Sequence, residues 1–450
     1  MTFDKKSIAL LGLALPVLAS GNTSQAQWQQ YADALKTEPG LIRFYSFKTE
    51  GQVQTNMAAA AADITFKGPH EASPKMGPGR IEGLQAPAID AESFRASAIS
   101  ESNNAFSVSI WVKPEGAGVK QSGGRVNGMI ASSGSGYYDG WRLAVYDISK
   151  LTPSFEIGRG QSSVNVVSKD SLSRGLWNHI AATWDGAVMK IYVNGILSGS
   201  RDFTGPCQPA KDGLSIGYSG YGVGSLKMEV DEIAVFNRSL AAARVAALSL
   251  TTVDLPGEVA AALNRASALQ LTGRSGEAGS ELKKLLSGQP LPPALACWIR
   301  VAALQLAVQE QSPDVWINQC IALYEDQATP PHLKGKLLSQ ILDCCSNVSL
   351  SLPSRVLEML PSARELSDED KFTCAVALAR SYAAEQKPDK AHQVFEHLIA
   401  VSAEDSGKES DLRFKFAQSL RTMGKNSAAV EQYEALAQNP KQPENPWGQT

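Results

Sequence analysis

Histidine and cysteine are scarce in this chain, and neither charge sign dominates. Five histidines (His70, His179, His332, His392 and His397) are scattered over 450 residues. His392 and His397 are five apart and do not share a helix face well. No H-E-x-x-H or C-x-x-C occurs, so the sequence signatures of zincin proteases and CxxC zinc or redox sites are missing. Gly158-Arg159-Gly160 opens like a dinucleotide-binding fingerprint, but Val164 and its neighbours supply no third glycine and no helix pattern follows. The 42 basic and 45 acidic residues give a net charge of −3, which argues against a nucleic-acid role, since that needs a basic face. Of the six cysteines only Cys207 lies in the first half. Cys297, Cys320, Cys344, Cys345 and Cys374 sit on apolar helical stretches and read as small core residues, although pairing cannot be read from spacing. Beyond the first residues no apolar run approaches the roughly 20 residues that cross a bilayer.

The N-terminus has the three parts of a secretory signal. Lys5 and Lys6 precede an uncharged apolar run from Ile8 to Ala19, and Ser24-Gln25-Ala26 fits the small-x-small cleavage rule. Residues 1–26 are therefore expected to direct export in a bacterium, leaving a chain that is periplasmic, cell-surface or extracellular. No cysteine stands near the cleavage site to carry a lipid anchor.

The remaining chain changes character near residue 240. Before it, short alternating runs are separated by Gly, Asn and Ser. Phe106-Ser-Val108-Ser-Ile110-Trp-Val112 has the period of two of a half-buried strand. Trp141–Tyr146, His179–Trp184 and Met189–Val193 continue the series. Asp185-Gly186 and Asn194-Gly195 are hairpin signals, because both central residues of a type I′ turn need positive φ. Residues 178–200 thus read as a three-strand meander inside a sandwich or jelly roll.

These segments resemble laminin-G-like, concanavalin A-like jelly rolls. The resemblance runs from Gly40–Phe47 through Phe106–Pro114, Trp177–Gly186, Ile191–Gly195 and Leu214–Gly217 to Val230–Leu240, and covers about residues 38–248. It implies two packed antiparallel sheets, in a fold often used for glycan or protein binding. Trp111 and Trp177 are expected between the sheets, Asn194 and Gly195 in a turn, and Arg238 beside an acid. The resemblance also makes the closing-strand acids structural.

From Pro256 the period becomes 3.6. Leu269 and Ala278, Tyr382 and Ala391, and Leu420 and Ala429 each pair a large residue with a small one nine positions on. That spacing resembles tetratricopeptide repeats, in which the small residue lies where two helices cross closely. Residues 257–440 are therefore expected to form an all-α tetratricopeptide-like solenoid of about five helix pairs, whose concave face docks a protein.

The acids of the closing strand raise an enzyme reading. Laminarinase-type glucanases carry three acids in the order E-x-D-x-(x)-E on one strand, and retaining hydrolysis needs two carboxyls roughly 5–5.5 Å apart. Glu229 and Asp231 match the first two, but Ile233 and Ala234 occupy the third place, and a strict alternation sends Glu232 to the opposite face. No catalysis is expected. A structural calcium ion, which family members often hold, would draw on Asp90, Glu92 and Asp231; Lys48 stands where the family commonly has an acid. Tyr137, Tyr138 and Tyr221, on Gly-rich loops, are the expected ligand-binding residues, because sugar rings stack on exposed aromatics. The sequence thus points to an exported non-catalytic binding protein for a polysaccharide or glycoprotein. The alternatives are the non-catalytic front part of a larger exported glycosidase or sialidase, which the Pro-rich segment Asn439–Trp447 would join as a linker, and a purely protein-binding adaptor.

Overall fold

The computed structural model describes residues 23–48, 53–58, 63–67, 73–90, 93–96, 104–117, 128–134, 138–148, 150–210, 213–217, 224–288, 290–306, 312–346, 354, 368–402 and 406–438. They divide into two compact units, Leu18–Gln311 with Ala322–Leu337, and Ser312–Ile321 with Leu338–Thr450.

The first unit is built on two sheets. One contains β4 (Lys75–Pro78), β5 (Gln85–Ile89), β1 (Leu41–Tyr45), β16 (Gly224–Phe236), β7 (Phe106–Ala117), β12 (Asn178–Trp184), β13 (Val188–Val193) and β14 (Ile196–Asp202). Its order is β14-β13-β12-β7-β16, with β1 and β5 along different stretches of β16 and β4 beyond β5. The other contains β2 (Val53–Gln54), β3 (Ile64–Lys67), β6 (Ser93–Arg95), β15 (Leu214–Gly217), β8 (Gly128–Ser133), β9 (Trp141–Asp147), β10 (Thr152–Gly158) and β11 (Ser163–Val167), paired in that order. The first residues of β16 join the sheets by a parallel pairing of Gly224 with Gly128. Every other pairing is antiparallel.

The alternation in β7 sends Phe106, Val108, Ile110 and Val112 into the core between the sheets, with Trp141, Phe155, Ile180, Trp184, Ile191 and Val230. Trp111 is not among them. It follows the odd positions, with Ser107 and Ser109, onto the outer face, where its ring meets His179 and His332 at 5.1 Å each. The expectation that Trp111 fills the core is corrected by the same period of two that located the strand. Trp177 is half-buried just before β12 and also lies outside that core.

The meander forms as expected, with one change. Asn194 and Gly195 both have positive φ, +53° and +83°. At the other hairpin only Gly186 does, at +89°, and the connection spans three residues, 185–187. Asp185 Oδ1 accepts from the N–H groups of Ala187 and Val188 at 3.0 and 2.7 Å. That side-chain turn replaces a type I′ turn.

Helices cover the outer face of the β16-containing sheet. In α1 (Gln25–Lys36) the buried residues Trp28, Tyr31, Ala32 and Leu35 form one stripe. They pack with Val245 and Leu248 of α2 (Ala242–Ser249) on Phe44, Ala181, Tyr192, Ala234 and Phe236. The Asn194 turn anchors later helices of this unit. Trp298, in α5 (Pro293–Leu306), donates its indole N–H to the Asn194 carbonyl at 2.9 Å. Asn194 Oδ1 accepts the His179 N–H at 2.8 Å, and its Nδ2 donates to the His332 carbonyl at 3.4 Å.

The nine-residue spacing corresponds to a turn made three times. Between α3 (Gly257–Leu271) and α4 (Ser275–Leu285), between the helices Asp368–Ala384 and Pro388–Val401, and between Ser406–Thr422 and Asn426–Ala437, one residue is left-handed: Gly273, Gln386 and Gly424. The next N–H, of Arg274, Lys387 or Lys425, bonds back to the carbonyl of Leu269, Tyr382 or Leu420 at 2.8–2.9 Å. Ala278, Ala391 and Ala429 are buried in the helix that follows. These are Schellman-type bonds that satisfy helix-end carbonyls. Cys207, Cys297, Cys320 and Cys374 are buried.

Candidate functional site

Two places in the first unit gather chemistry-bearing side chains. The first lies on the outer face of the β16-containing sheet. The register of β16 on β7 shifts between Asp231 and Ile233, and Glu232 at the shift has φ +49°. A bulge adds one residue and cancels the alternation locally, so Glu232 joins Asp231 on the outer face. Arg80, in the loop between β4 and β5, touches both: its backbone N–H lies 3.4 Å from Asp231 Oδ2 and its Nη2 2.9 Å from Glu232 Oε1. The expectation that Glu232 points the other way is therefore corrected.

Each of these acids has a cationic partner. Lys48 Nζ contacts both oxygens of Asp231, Glu232 also accepts from the Trp28 indole N–H, and Glu229 pairs with Lys113 at 3.2 Å. Burial pushes the Asp231 carboxyl above the usual carboxylate range, and the Lys48 ammonium opposes the shift. Arg80 stacks on Trp111, 4.3 Å from the ring centre, and its Nη1 donates to Thr251 Oγ1 at 2.8 Å. His332 closes the cluster with an edge-on contact to Trp111. Burial lowers its pKa to about 3, with the Arg80 charge adding to the effect, and burial likewise holds His179 well below its ordinary value. Both imidazoles are neutral near pH 7. His179 Nε2 shares a 2.8 Å hydrogen bond with Ser109 Oγ.

The second place is a rim where three loops meet. Tyr138 is 52% exposed. Its carbonyl accepts the Gly160 N–H at 2.7 Å, and Gly140 and Gly158 exchange bonds with Gln208 at 2.8 and 2.9 Å. A Cβ on Gly158 would lie 2.4 Å from the Tyr138 carbonyl carbon and the Asp139 nitrogen. The Gly158-Arg159-Gly160 segment is thus a β10–β11 hairpin turn pressed against the Tyr138 backbone. Arg159 and Gln208 are exposed beside it, giving an aromatic ring with polar neighbours on a pinned frame.

Of the expected ligand-binding residues, Tyr138 is on this rim, while Tyr137 and Tyr221 lie outside the described residues. Of the expected calcium ligands, Asp231 is held by Lys48, Asp90 is exposed at the end of β5, and Glu92 lies outside the described residues. No three His, Cys, Asp or Glu side chains converge as a metal site among the described residues. The expected partner of Arg238 is Glu38, at 2.6 Å. Sequence reasoning missed Arg80, Thr251, Trp28 and the contact of His332 with Trp111. Only Lys48 carried a signal, as a base in an acid's place. The others lie far apart in the chain, and no local pattern links them.

Residues 90–246 match the laminin-G-type family model of the concanavalin A-like lectin/glucanases superfamily. Among solved structures, domain 4 of AbnA, a GH43 extracellular arabinanase from Geobacillus stearothermophilus, in complex with arabinotriose, is 18% identical; the match covers 47% of this chain and 99% of that one, with a TM-score of 0.38. The binding domain of Paraclostridial Mosquitocidal Protein 1 is 12% identical over 49% of this chain and 52% of its own, with a TM-score of 0.35. The binding domain of botulinum neurotoxin serotype G is 15% identical over 47% and 50%, with a TM-score of 0.34. No curated protein matches the chain.

Proposed function

We propose that this chain is an exported, non-catalytic carbohydrate-binding protein whose jelly roll takes a polysaccharide or glycoprotein and whose helix pairs dock a protein. The observation that carries the reading is the match of residues 90–246 to the lectin/glucanase family model. Two features of the fold support it. Glu229, Asp231 and Glu232 are each engaged by a cation, whereas a glycosidase needs one carboxyl free to give a proton and another free to attack or to activate water. Tyr138 offers an exposed ring on a rigid rim, the combination on which a sugar ring stacks at low entropic cost.

A glycan array probed with the full chain, with and without calcium, tests the reading. Binding to at least one glycan, weakened about tenfold by Tyr138→Ala, is expected, the factor corresponding to one lost ring contact. An array without binders in either condition overturns it. A calcium requirement would support an ion near Asp90 and Glu92.

A further inference from the structure

Besides the rim, the first unit has a cleft of about 130 Å³ on its other side, lined among others by Arg80, Trp111, Trp177, Thr251, Ala294 and His332. It shares Thr23, Leu250, Thr251 and Ala294 with a wider cleft of about 460 Å³, lined in part by Gln27, Gln30 and Thr252. We infer that the inner cleft is a second binding site, which takes the terminal ring of an uncharged saccharide whose next units lie in the wider cleft.

Charge selects against ions. Lys48 and Arg80 offset Asp231 and Glu232, and His332 is neutral, so the cluster has no excess charge. An ion entering would lose hydration with no counter-charge to replace it. Polar capacity is nevertheless available. Arg80 is 9% exposed in its side chain, and its buried Nε has no hydrogen-bond partner; neither has the buried Nε2 of His332. Buried polar atoms of this kind ordinarily have a hydrogen-bond partner; Arg80 Nε would donate, and His332 Nε2 would donate or accept according to its tautomer. The Thr251 oxygen accepts from Arg80, leaving its own proton to donate.

The walls explain why a ring fits better than solvent. A cleft of this size holds on the order of four waters, but two indoles, Leu250, Ala294 and Pro330 also line it. Water gains little against such surfaces, while a sugar ring presents C–H faces to them and hydroxyls to Arg80, Thr251 and His332. Thr251 holds a strained backbone position. It follows the last turn of α2 at φ +51°, and Thr252 N–H bonds back to Ala247. Glycine is the usual residue at such a position, and a β-branched residue there is strained. Threonine brings the hydroxyl that glycine lacks.

This site is independent of the rim proposed above. The test titrates the full chain with neutral methyl hexosides and neutral di- to tetrasaccharides, and with acetate, inorganic phosphate and a neutral peptide amide. It follows the heat of binding and the Hε1 resonance of His332. Saturable movement of that resonance by a neutral saccharide is expected, with longer chains tighter. The affinity read from the His332 resonance should fall about tenfold in Trp177→Ala and in Ala294→Phe, which fills the mouth from an exposed position. The two cleft variants alter different walls, so either one that folds suffices. The inference is overturned if no saccharide moves the resonance, if only the anions or the peptide do, or if the movement survives both cleft substitutions. Saccharide heat with no movement of the His332 resonance would leave the rim reading standing and remove this one.

Discussion

Lys48 shows how one residue can reverse the reading of a motif. Its ammonium neutralises Asp231 in a site from which both side chains are almost wholly removed from water. Lys48→Met would leave the carboxylate buried without its ammonium partner, and urea denaturation should show a loss of about 3–5 kcal/mol. Lys48→Met with Asp231→Leu should recover most of it, because an apolar pair replaces a buried ion pair at little cost. The neighbouring imidazoles give a pH dependence of known sign. The pKa of His332 lies near 3 when folded and near 6.5 when unfolded, so the unfolded chain takes up the proton first as pH falls. Its contribution to stability is complete above pH about 6.5 and is lost on going down towards pH 3, by up to about 1.4 kcal/mol per pH unit. His179 acts in the same direction. Denaturation at a series of pH values should show a shallower loss for His332→Asn than for the parent chain; equal slopes would mean that His332 takes up its proton at the same pH folded and unfolded.

Turns decide how the elements meet. Asn194 holds a left-handed turn residue, the β12 backbone, and the later helices through Trp298 and His332. Gly195 beside it has no room for a side chain, since a Cβ would come within 2.3 Å of Ser249 Oγ. Gly195→Ala should lower the melting temperature by displacing α2, at a cost of about 1–3 kcal/mol. Gly273→Ala is the contrast. Its φ is also positive, at +76°, but nothing lies within 4 Å of a Cβ there. Only the left-handed backbone penalty of about 1–2 kcal/mol remains. Calorimetry on the two variants separates crowding from backbone strain.

At the scale of the molecule, the sandwich and its covering helices share one unit, which runs past residue 248 to Gln311 and includes Ala322–Leu337. A fragment ending at residue 248 would uncover Asn194, Trp111 and the Leu176 side chain beneath Gly335. It is expected to melt below a fragment ending at residue 337 and to bind a hydrophobic dye that the longer one ignores. Equal melting temperatures would show that the sheets are self-sufficient. Export makes a separate prediction at this scale. Processing after Ala26 would remove the Ser24 cap and the first residues of α1. N-terminal sequencing of the secreted chain should then begin at Gln27, leaving Trp28 to reach Glu232 from the second position.

The sequence determined the strands, the meander, the Asn194-Gly195 turn and the nine-residue rhythm of three helix pairs, because each is set by neighbours within a few positions: a period of two, a demand for positive φ, or a buried alanine at a fixed offset. The same alternation already placed Trp111 on the outer face, had it been followed past Ile110. Tertiary structure alone decided the rest. A single bulge brought Glu232 round to Asp231, which no count along β16 could foresee, since a one-residue insertion reverses every later side. Lys48, Arg80, Thr251 and His332 are separated by up to 284 positions in the chain (332 minus 48) and meet only because sheet and helices pack. Their charges cancel, Arg80 Nε and His332 Nε2 are left without partners and their cleft forms through burial shared among distant segments, and burial of that kind is a property of the assembled fold.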